Sequence, residues 1–230
     1  MTIYEFKMYL KRLSIVKFIL KKYREKEEKT KESALKDNGI ELITEIEKAL
    51  KNVGVCYFAD YGTLLGIIRD HSFISWDNDI DYGLLVEDSF NWKTFESDLN
   101  KYGFRKIREF FFKNKILEQT YAYGNLTVDF FGHIYSKEKT YGFSFFRMEN
   151  YIYQSKNEFH VRTTEYAKIY ETKIVDFLGI NVSVPCNAEE YLESVYTKKW
   201  KTPDPTWSND ENPNKTIKIL DELGNGYFYE

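Results

Sequence analysis

Three aspartates are the residues of this sequence best suited to chemistry. Asp79 and Asp81 are two positions apart in a segment that alternates like a β-strand, so both side chains point to the same side. Ile80 between them points the other way, into the core. Two carboxylates on one face repel each other, and a divalent cation between them removes that repulsion. Because Mg²⁺ is held by one or two carboxylates together with water and phosphate oxygens, the pair predicts a site for Mg²⁺ or Mn²⁺.

The third aspartate has a similar setting. Asp129 is the single charged residue of the apolar stretch 126–131. A lone buried carboxylate is costly unless it is paired or bound to a metal. If its strand lies beside the strand of Asp79 and Asp81, three carboxylates meet at one place. We expect these three residues to be both the metal ligands and the catalytic groups.

A candidate phosphate-binding turn precedes the first of these strands. Gly62 and Thr63 open a short predicted helix, and backbone N–H groups at a helix N-terminus bind phosphate. Gly62 also allows a ligand to approach the backbone closely. Arg69 follows seven residues later and has the planar fork that binds a phosphate through two hydrogen bonds. Trp76, just before the aspartates, either walls the site or packs in the core.

Composition and charge exclude several other classes of protein. The 230 residues carry 33 basic and 36 acidic side chains, a net charge of -3, which argues against a protein that coats nucleic acid. Two cysteines cannot form a disulfide framework, and with three histidines they argue against a structural zinc site. No stretch reaches the ~20 apolar residues of a membrane-spanning helix. No signal peptide is recognisable, so we expect a cytoplasmic protein.

The first 24 residues predict a basic amphipathic helix, with seven Lys and Arg against one Glu. Such a helix can lie on an anionic membrane surface, which would place the protein at the inner face of the membrane. It can equally pack on its own domain or on a second subunit. Both interpretations stay open. The following mixed-charge stretch, 25–36, has the composition of a solvated helix end or a linker.

The remaining patterns predict an α+β fold. We divide the chain into an N-terminal helix and linker (1–35), a catalytic core (36–135) and a strand-rich C-terminal extension of the same domain (136–230). A short helix follows Gly62 and Thr63, a loop covers 201–214 and a short helix closes the chain. Longer helices are predicted over 40–51, 88–102 and 187–197, and strands over 55–59, 79–86, 104–112, 117–123, 126–134, 141–147 and 174–184.

Two segments resemble a known family. Residues 60–69 (DYGTLLGIIR) and 76–81 (WDNDID) resemble the signature of the LicD-type phosphotransferases, a branch of the nucleotidyltransferase superfamily that includes fukutin-related protein. The resemblance covers about residues 40–135. It implies a small mixed sheet flanked by helices. Two positions depart from the family pattern: Asn78 interrupts a run of three acids, and Tyr61 replaces a residue that is often glycine.

The resemblance also implies an activity. Such enzymes transfer phosphocholine, glycerol phosphate or ribitol phosphate from a CDP-activated donor to a hydroxyl of a cell-surface glycan or its precursor. Asp79 and Asp81 would hold Mg²⁺ or Mn²⁺ on the diphosphate, and Asp129 would complete a second metal position and orient or deprotonate the acceptor hydroxyl. The implied substrate-binding residues are Asp60, Gly62, Thr63, Arg69 and Trp76.

Two other functions remain open. A nucleotidyltransferase in the narrow sense would use the same three acids to attach a nucleoside monophosphate to a small molecule, a protein or RNA. In that reaction the nucleotide stays on the product, whereas the phosphotransferase releases CMP. A non-catalytic protein that binds a membrane or a partner through its N-terminal helix is the third interpretation.

Overall fold

A long helix leads the chain in the computed structural model, which describes residues 14–207 and 217–230. This helix, α1 (Ser14–Leu50), continues without a break through residues 25–36, where the sequence suggested a helix end or a linker. The boundary drawn between the first two segments therefore falls inside a helix. The amphipathic face predicted for residues 1–24 lies largely outside the described residues and stays a prediction.

Three shorter helices, one π-helical turn (Gly66–Asp70) and eleven strands follow α1 within the described residues. The helices are α2 (Tyr61–Leu65), α3 (Trp92–Asn100) and α4 (Ala188–Tyr196). The strands are β1 (Cys56–Ala59), β2 (Ile80–Leu85), β3 (Arg105–Phe112), β4 (Lys115–Tyr123), β5 (Leu126–Tyr135), β6 (Lys139–Phe146), β7 (Glu158–Ala167), β8 (Thr172–Phe177), β9 (Ile180–Pro185), β10 (Ile217–Ile219) and β11 (Gly224–Phe228).

Nine of these strands form one large sheet, in the order β1-β2-β5-β4-β3-β11-β7-β10 with β6 bridging β5 and β7. Because β6 joins those two strands, the strands β5, β4, β3, β11, β7 and β6 form a closed ring. Strands β2 and β5 run parallel, and the other described pairs are antiparallel. Strands β8 and β9 form a separate hairpin. The predicted α+β class and the mixed sheet are confirmed.

The main core joins α1, α3 and α4 to strands β1, β2 and β5. Apolar alternation along the strands places every second side chain in this core, as the sequence pattern predicts. Side chains with almost no exposed surface include Leu42, Ile43, Ile46, Phe58, Ile80, Leu84, Val128, Phe130, Leu192 and Val195.

A polar cluster fastens α1 to the sheet. The carboxylate of Glu47 accepts hydrogen bonds from Tyr82 Oη at 2.8 Å, Tyr57 Oη at 3.0 Å and the Ser183 N–H at 3.1 Å. These donors belong to β2, β1 and β9, so one carboxylate connects a helix with three strands. Burial raises the pKa of Glu47 despite these three donors.

Two expectations about the later elements are wrong, and one strand was missed. The strand predicted over 174–184 is the β8–β9 hairpin, because the chain reverses at Leu178 and Gly179 with positive φ angles of 52° and 87°. Strand β7 has no predicted counterpart, since polar residues on both of its faces hide the alternation. The predicted closing helix is replaced by β10 and β11, whose partners β7 and β3 are distant in sequence.

Candidate active site

Pairing of β2 with β5 brings the three predicted aspartates together. Asp81 lies directly opposite Asp129 in the parallel register of these strands. Asp79 immediately precedes β2. Each of the three residues offers a carboxylate oxygen, and these oxygens all lie within 4.8 Å of one another. Such spacing allows one cation to contact all three carboxylates.

A fourth carboxylate, Asp77, belongs to the same cluster and was missed as a site residue. Its Oδ2 packs so closely on Gly62 that a Cβ atom added to the glycine would lie 2.3 Å away. Asp77 also shares a hydrogen bond with Asp79, and burial together with the charge of Asp79 raises the pKa of Asp77 to about 7. The sequence did offer an indication of this role. In the family pattern this position begins a run of three acids, and Asp77 is still acidic although the middle position is Asn78.

Burial and mutual repulsion favour protonation of Asp77, Asp79 and Asp81. The pKa of Asp81 lies well above its usual range because of burial and the nearby charges of Asp79 and Asp129. The pKa of Asp79 is raised by burial and by Asp129, with Lys31 of α1 among the charges that oppose the rise. A divalent cation would favour the ionised forms instead. A donor set made only of carboxylate oxygens suits a hard ion such as Mg²⁺ or Mn²⁺.

Neighbouring strands supply a further set of polar groups that sequence reasoning missed. Arg108 Nη2 donates to Asp129 Oδ1 at 3.1 Å and to Glu118 Oε1 at 3.2 Å, and its Nε donates to Thr120 Oγ1 at 3.0 Å. The Thr120 hydroxyl donates in turn to Asp129 Oδ1. Burial and the charge of Asp129 raise the pKa of Glu118 to about 8. Charged residues within otherwise apolar strands could have indicated these groups. Which of them meet, however, depends on how the strands are paired.

The Gly62–Thr63 turn lies beside the aspartates, in a role partly different from the predicted one. Thr63 Oγ1 accepts a hydrogen bond from the Asp81 N–H at 2.9 Å, so this side chain fixes the start of β2. Gly62 does provide a close approach, but its neighbour is the carboxylate of Asp77. Tyr61 before it has φ of 38°, in the left-handed region that glycine adopts most easily. This backbone explains why glycine would be favoured at that position.

Asp60 is buried and does not reach the cleft surface. It caps α2 by accepting a hydrogen bond from the Tyr61 N–H at 2.7 Å. The same carboxylate accepts from Tyr191 Oη at 2.9 Å, and its other oxygen is 2.6 Å from Nε2 of the buried His133. With no exposed surface, Asp60 holds the turn in place instead of contacting a ligand as expected.

A cleft of about 790 Å³ opens in front of the acids. Trp76 lines this cleft with 40% of its surface exposed, so of the two predicted alternatives it lies on the wall of the cleft and not in the core. Arg69 also lines the cleft, but its Nε and Nη2 each donate to Asp70 at 2.7 Å. Binding a phosphate through that edge would require Asp70 to move. The cleft is also lined by Tyr196, the last residue of α4, and by the stretch that follows, which sequence reasoning left out of the site: Lys198, Lys199, Trp200 and Trp207.

A mixed sheet carries acids on adjoining parallel strands beside a Gly-Thr turn, and three of these acids are close enough together to hold a metal ion. Residues 54–187 match the family model described as LicD/FKTN/FKRP, nucleotidyltransferase domain. The match covers more than half of the chain, and the chain belongs to this family.

Curated relatives give a more distant similarity. The chain is 26% identical to the ribitol-5-phosphate transferase FKTN of Mus musculus over 185 residues, which cover 75% of this chain and 35% of the relative. It is 24% identical to the Homo sapiens protein of that name over 184 residues, 78% of this chain and 37% of the relative. The chain thus spans about a third of the length of these relatives. Within the described residues, none of the helices has the length and apolar character needed to cross a bilayer.

Proposed function

We propose that this protein is a metal-dependent phosphotransferase. It transfers a phosphorylated alcohol from a CDP-activated donor to a hydroxyl of a cell-surface glycan or a glycan precursor. The observation that carries the proposal is the cluster of carboxylate oxygens from Asp79, Asp81 and Asp129, all within 4.8 Å of one another in a member of the LicD/FKTN/FKRP family. The curated relatives, named as ribitol-5-phosphate transferases, support the same class of reaction.

The acids provide the metal site of this proposal. Asp79, Asp81 and Asp129 would hold Mg²⁺ or Mn²⁺, which when bound neutralises charge on the phosphates and the departing CMP. Asp129 would orient the acceptor hydroxyl or take up its proton, so that the oxygen attacks phosphorus as CMP leaves. In phosphoryl transfer, positioning and electrostatic stabilisation supply nearly all of the rate enhancement, so a few fixed carboxylates suffice.

The cleft supplies the donor site. Trp76 presents an exposed ring on which a cytosine base can stack. Lys198 and Lys199 also line this cleft and attract the diphosphate. Since Asp77 and Asp81 line the same cleft, a donor bound there has its phosphates beside the carboxylate cluster.

A thermal-shift panel tests the donor first. The ligands are CDP-choline, CDP-glycerol, CDP-ribitol, CMP, CTP, UTP and ATP, each with Mg²⁺ and with EDTA. A ligand present at 100 times its Kd adds about 2.7 kcal/mol to the free energy of unfolding, a readily measured shift. We expect a Mg²⁺-dependent shift with one CDP-alcohol that exceeds the shift with CMP.

The Asp81→Asn variant tests whether the aspartate cluster is the site of Mg²⁺ binding, and Asp88→Asn is its matched control. Asp88 is an exposed residue that pairs with Lys115 on the surface. The first substitution should remove the Mg²⁺-dependent shift and the second should keep it. Stabilisation by a nucleoside triphosphate alone would replace the proposal with a nucleotidyltransferase. No shift with any nucleotide would favour the non-catalytic interpretation.

A further inference from the structure

Asp129 differs from the other acids of the cluster in how its carboxylate is held. One oxygen, Oδ1, accepts hydrogen bonds from Arg108 Nη2 at 3.1 Å and from the Thr120 hydroxyl. Thr120 is almost fully buried, at 4% exposure, so water does not replace its hydroxyl. With two donors on Oδ1, the oxygen left to contact a cation is Oδ2.

The holding groups come from regular strands and not from a loop. Thr120 lies opposite Asp129 in the β4–β5 pairing, and Arg108 lies opposite Thr120 in the β3–β4 pairing. Together with Asp81, opposite Asp129 on the other side, they form one row across four strands. Backbone pairing on both sides thus fixes the spacing of this row.

The guanidinium of Arg108 is itself anchored. Its Nη2 is shared between Asp129 and Glu118, and its Nε donates to Thr120 at 3.0 Å. The Glu118 side chain is 8% exposed, and the Arg108 side chain is 33% exposed. Glu118 and Thr120 hold the guanidinium independently of Asp129, and Arg108 can therefore fix the position of Asp129.

We propose that Arg108 and Thr120 are positioning residues that hold Asp129 with Oδ2 directed toward Asp79 and Asp81, and that they set the affinity of the cluster for a divalent cation. The inference rests on the proposed function in one respect, that the cluster binds such a cation. Groups that orient metal ligands through hydrogen bonds typically contribute 10–100-fold to metal affinity. Neither residue contacts the reacting groups in this proposal.

Two effects of Arg108 oppose each other, and Thr120 separates them. Orientation of Asp129 strengthens metal binding, whereas the positive charge of Arg108 weakens it by repulsion. Removing the arginine changes both. Thr120→Val replaces the hydroxyl with a methyl group of similar size and keeps the charge of Arg108, so its effect reports the loss of the hydrogen bonds that Thr120 makes with Asp129 and Arg108.

The test is to titrate the metal-free full chain with Mn²⁺ and to measure the concentration of unbound Mn²⁺ from its electron paramagnetic resonance signal. We expect Thr120→Val to raise the Kd for Mn²⁺ about 10-fold or more, and Thr120→Ser to restore wild-type affinity. Arg108→Gln should also raise the Kd, and Arg108→Lys should raise it less. Thr163→Val, in β7, is the matched control and should leave the Kd unchanged. Circular dichroism checks that each variant is folded. If Thr120→Val does not fold, the Kd values of the arginine variants provide the test.

The outcomes distinguish this inference from the proposed function. If the wild-type chain binds no Mn²⁺ at millimolar concentration, the metal-dependent function itself is wrong. If the wild type binds Mn²⁺ and Thr120→Val binds it equally or more tightly, only the positioning role is overturned. Tighter binding by Arg108→Gln would show that the arginine acts as a repelling charge, which also contradicts the proposal.

Discussion

Asp81 and Asp129 face each other across the parallel pairing of β2 with β5. Hydrogen bonds of the sheet fix this separation, so neither carboxylate can withdraw from the other by a change in backbone. Thr63 Oγ1 adds a further constraint by accepting from the Asp81 N–H at 2.9 Å. The fold therefore maintains a repulsion that a divalent cation would relieve, which is the arrangement expected of a metal site and not of a structural ion pair.

Asp81→Asn should abolish transfer while preserving the fold. The amide keeps the shape of the side chain but removes a charge that the cluster needs. We expect the transfer rate to fall by at least ~10²-fold, the range seen when one charge-stabilising group is removed. Because repulsion is also relieved, the Tm of the metal-free protein should be unchanged or higher. Transfer within a few-fold of wild type would contradict the assignment, and Asp88→Asn provides the control for a surface aspartate.

Stability of the metal-free protein should fall as the pH rises from 5 to 8. Burial and neighbouring charges raise the pKa of Asp77 to about 7 and that of Glu118 to about 8, and they raise that of Asp81 also. The folded protein thus keeps protons that the unfolded chain releases above pH ~4–5. Since the unfolded state then binds fewer protons, the free energy of unfolding decreases with pH in this window.

Thermal unfolding with EDTA and with Mg²⁺, at intervals of pH, measures this effect. The stabilisation by Mg²⁺ should grow with pH, because ionised carboxylates bind the cation. Glu118→Gln should make the pH dependence with EDTA shallower while keeping the response to Mg²⁺. A Tm with EDTA that rises between pH 5 and 8 in the wild type would contradict the expected protonation.

Local patterns identified the three aspartates at the centre of the candidate site, but not that they meet. Alternation places Asp79 and Asp81 on one side of a strand, and the cost of burying a lone charge marks Asp129. That prediction required their strands to lie side by side, and in the structure the two strands are paired, in parallel. The same logic applied to Gly62 and Thr63 placed the turn correctly but not its contacts, because their nearest groups, Asp77 and the Asp81 N–H, are set by packing.

Local sequence patterns could not predict the contacts between strands that are distant in sequence. Nothing in the spacing of Arg108, Thr120 and Asp129 indicates that they share one row, since that depends on two registers and a β-bulge in β3. The sequence also does not show that the guanidinium of Arg69 is already hydrogen-bonded to Asp70. That contact depends on the direction of the two side chains at the end of the π-helical turn. The last strand, β11, is defined by its pairing with β3 and β7.

Gly62→Ala should impair transfer through Asp77. A Cβ at this position would lie 2.3 Å from Asp77 Oδ2, so the carboxylate must move away from the cluster. We expect a loss of transfer similar to that of Asp77→Ala. In the Asp77→Ala background the glycine substitution should add little, because the group with which it clashes is gone. A double-mutant cycle measures this coupling, and additive losses would show that Gly62 acts through another contact, such as a phosphate.

Glu47→Ala should destabilise the fold without altering the chemistry of the site. The substitution leaves Tyr57 Oη, Tyr82 Oη and the Ser183 N–H without their acceptor. Tyr82 and Ser183 are buried, and each buried donor left without a partner costs about 1–3 kcal/mol, so we expect a loss of about 2 kcal/mol or more in the free energy of unfolding. Urea denaturation of the metal-free protein measures it.

Glu45→Ala is the matched control for that substitution. It lies two residues earlier on α1 and pairs with Lys48 at the surface, where an ion pair contributes about 0–1 kcal/mol. Its free energy of unfolding should therefore stay within about 1 kcal/mol of wild type. Mg²⁺ affinity should be the same in both variants, because Glu47 contacts none of the four aspartates of the site. Equal destabilisation by the two substitutions would show that the hydrogen bonds to β1, β2 and β9 hold α1 no more firmly than a surface ion pair does.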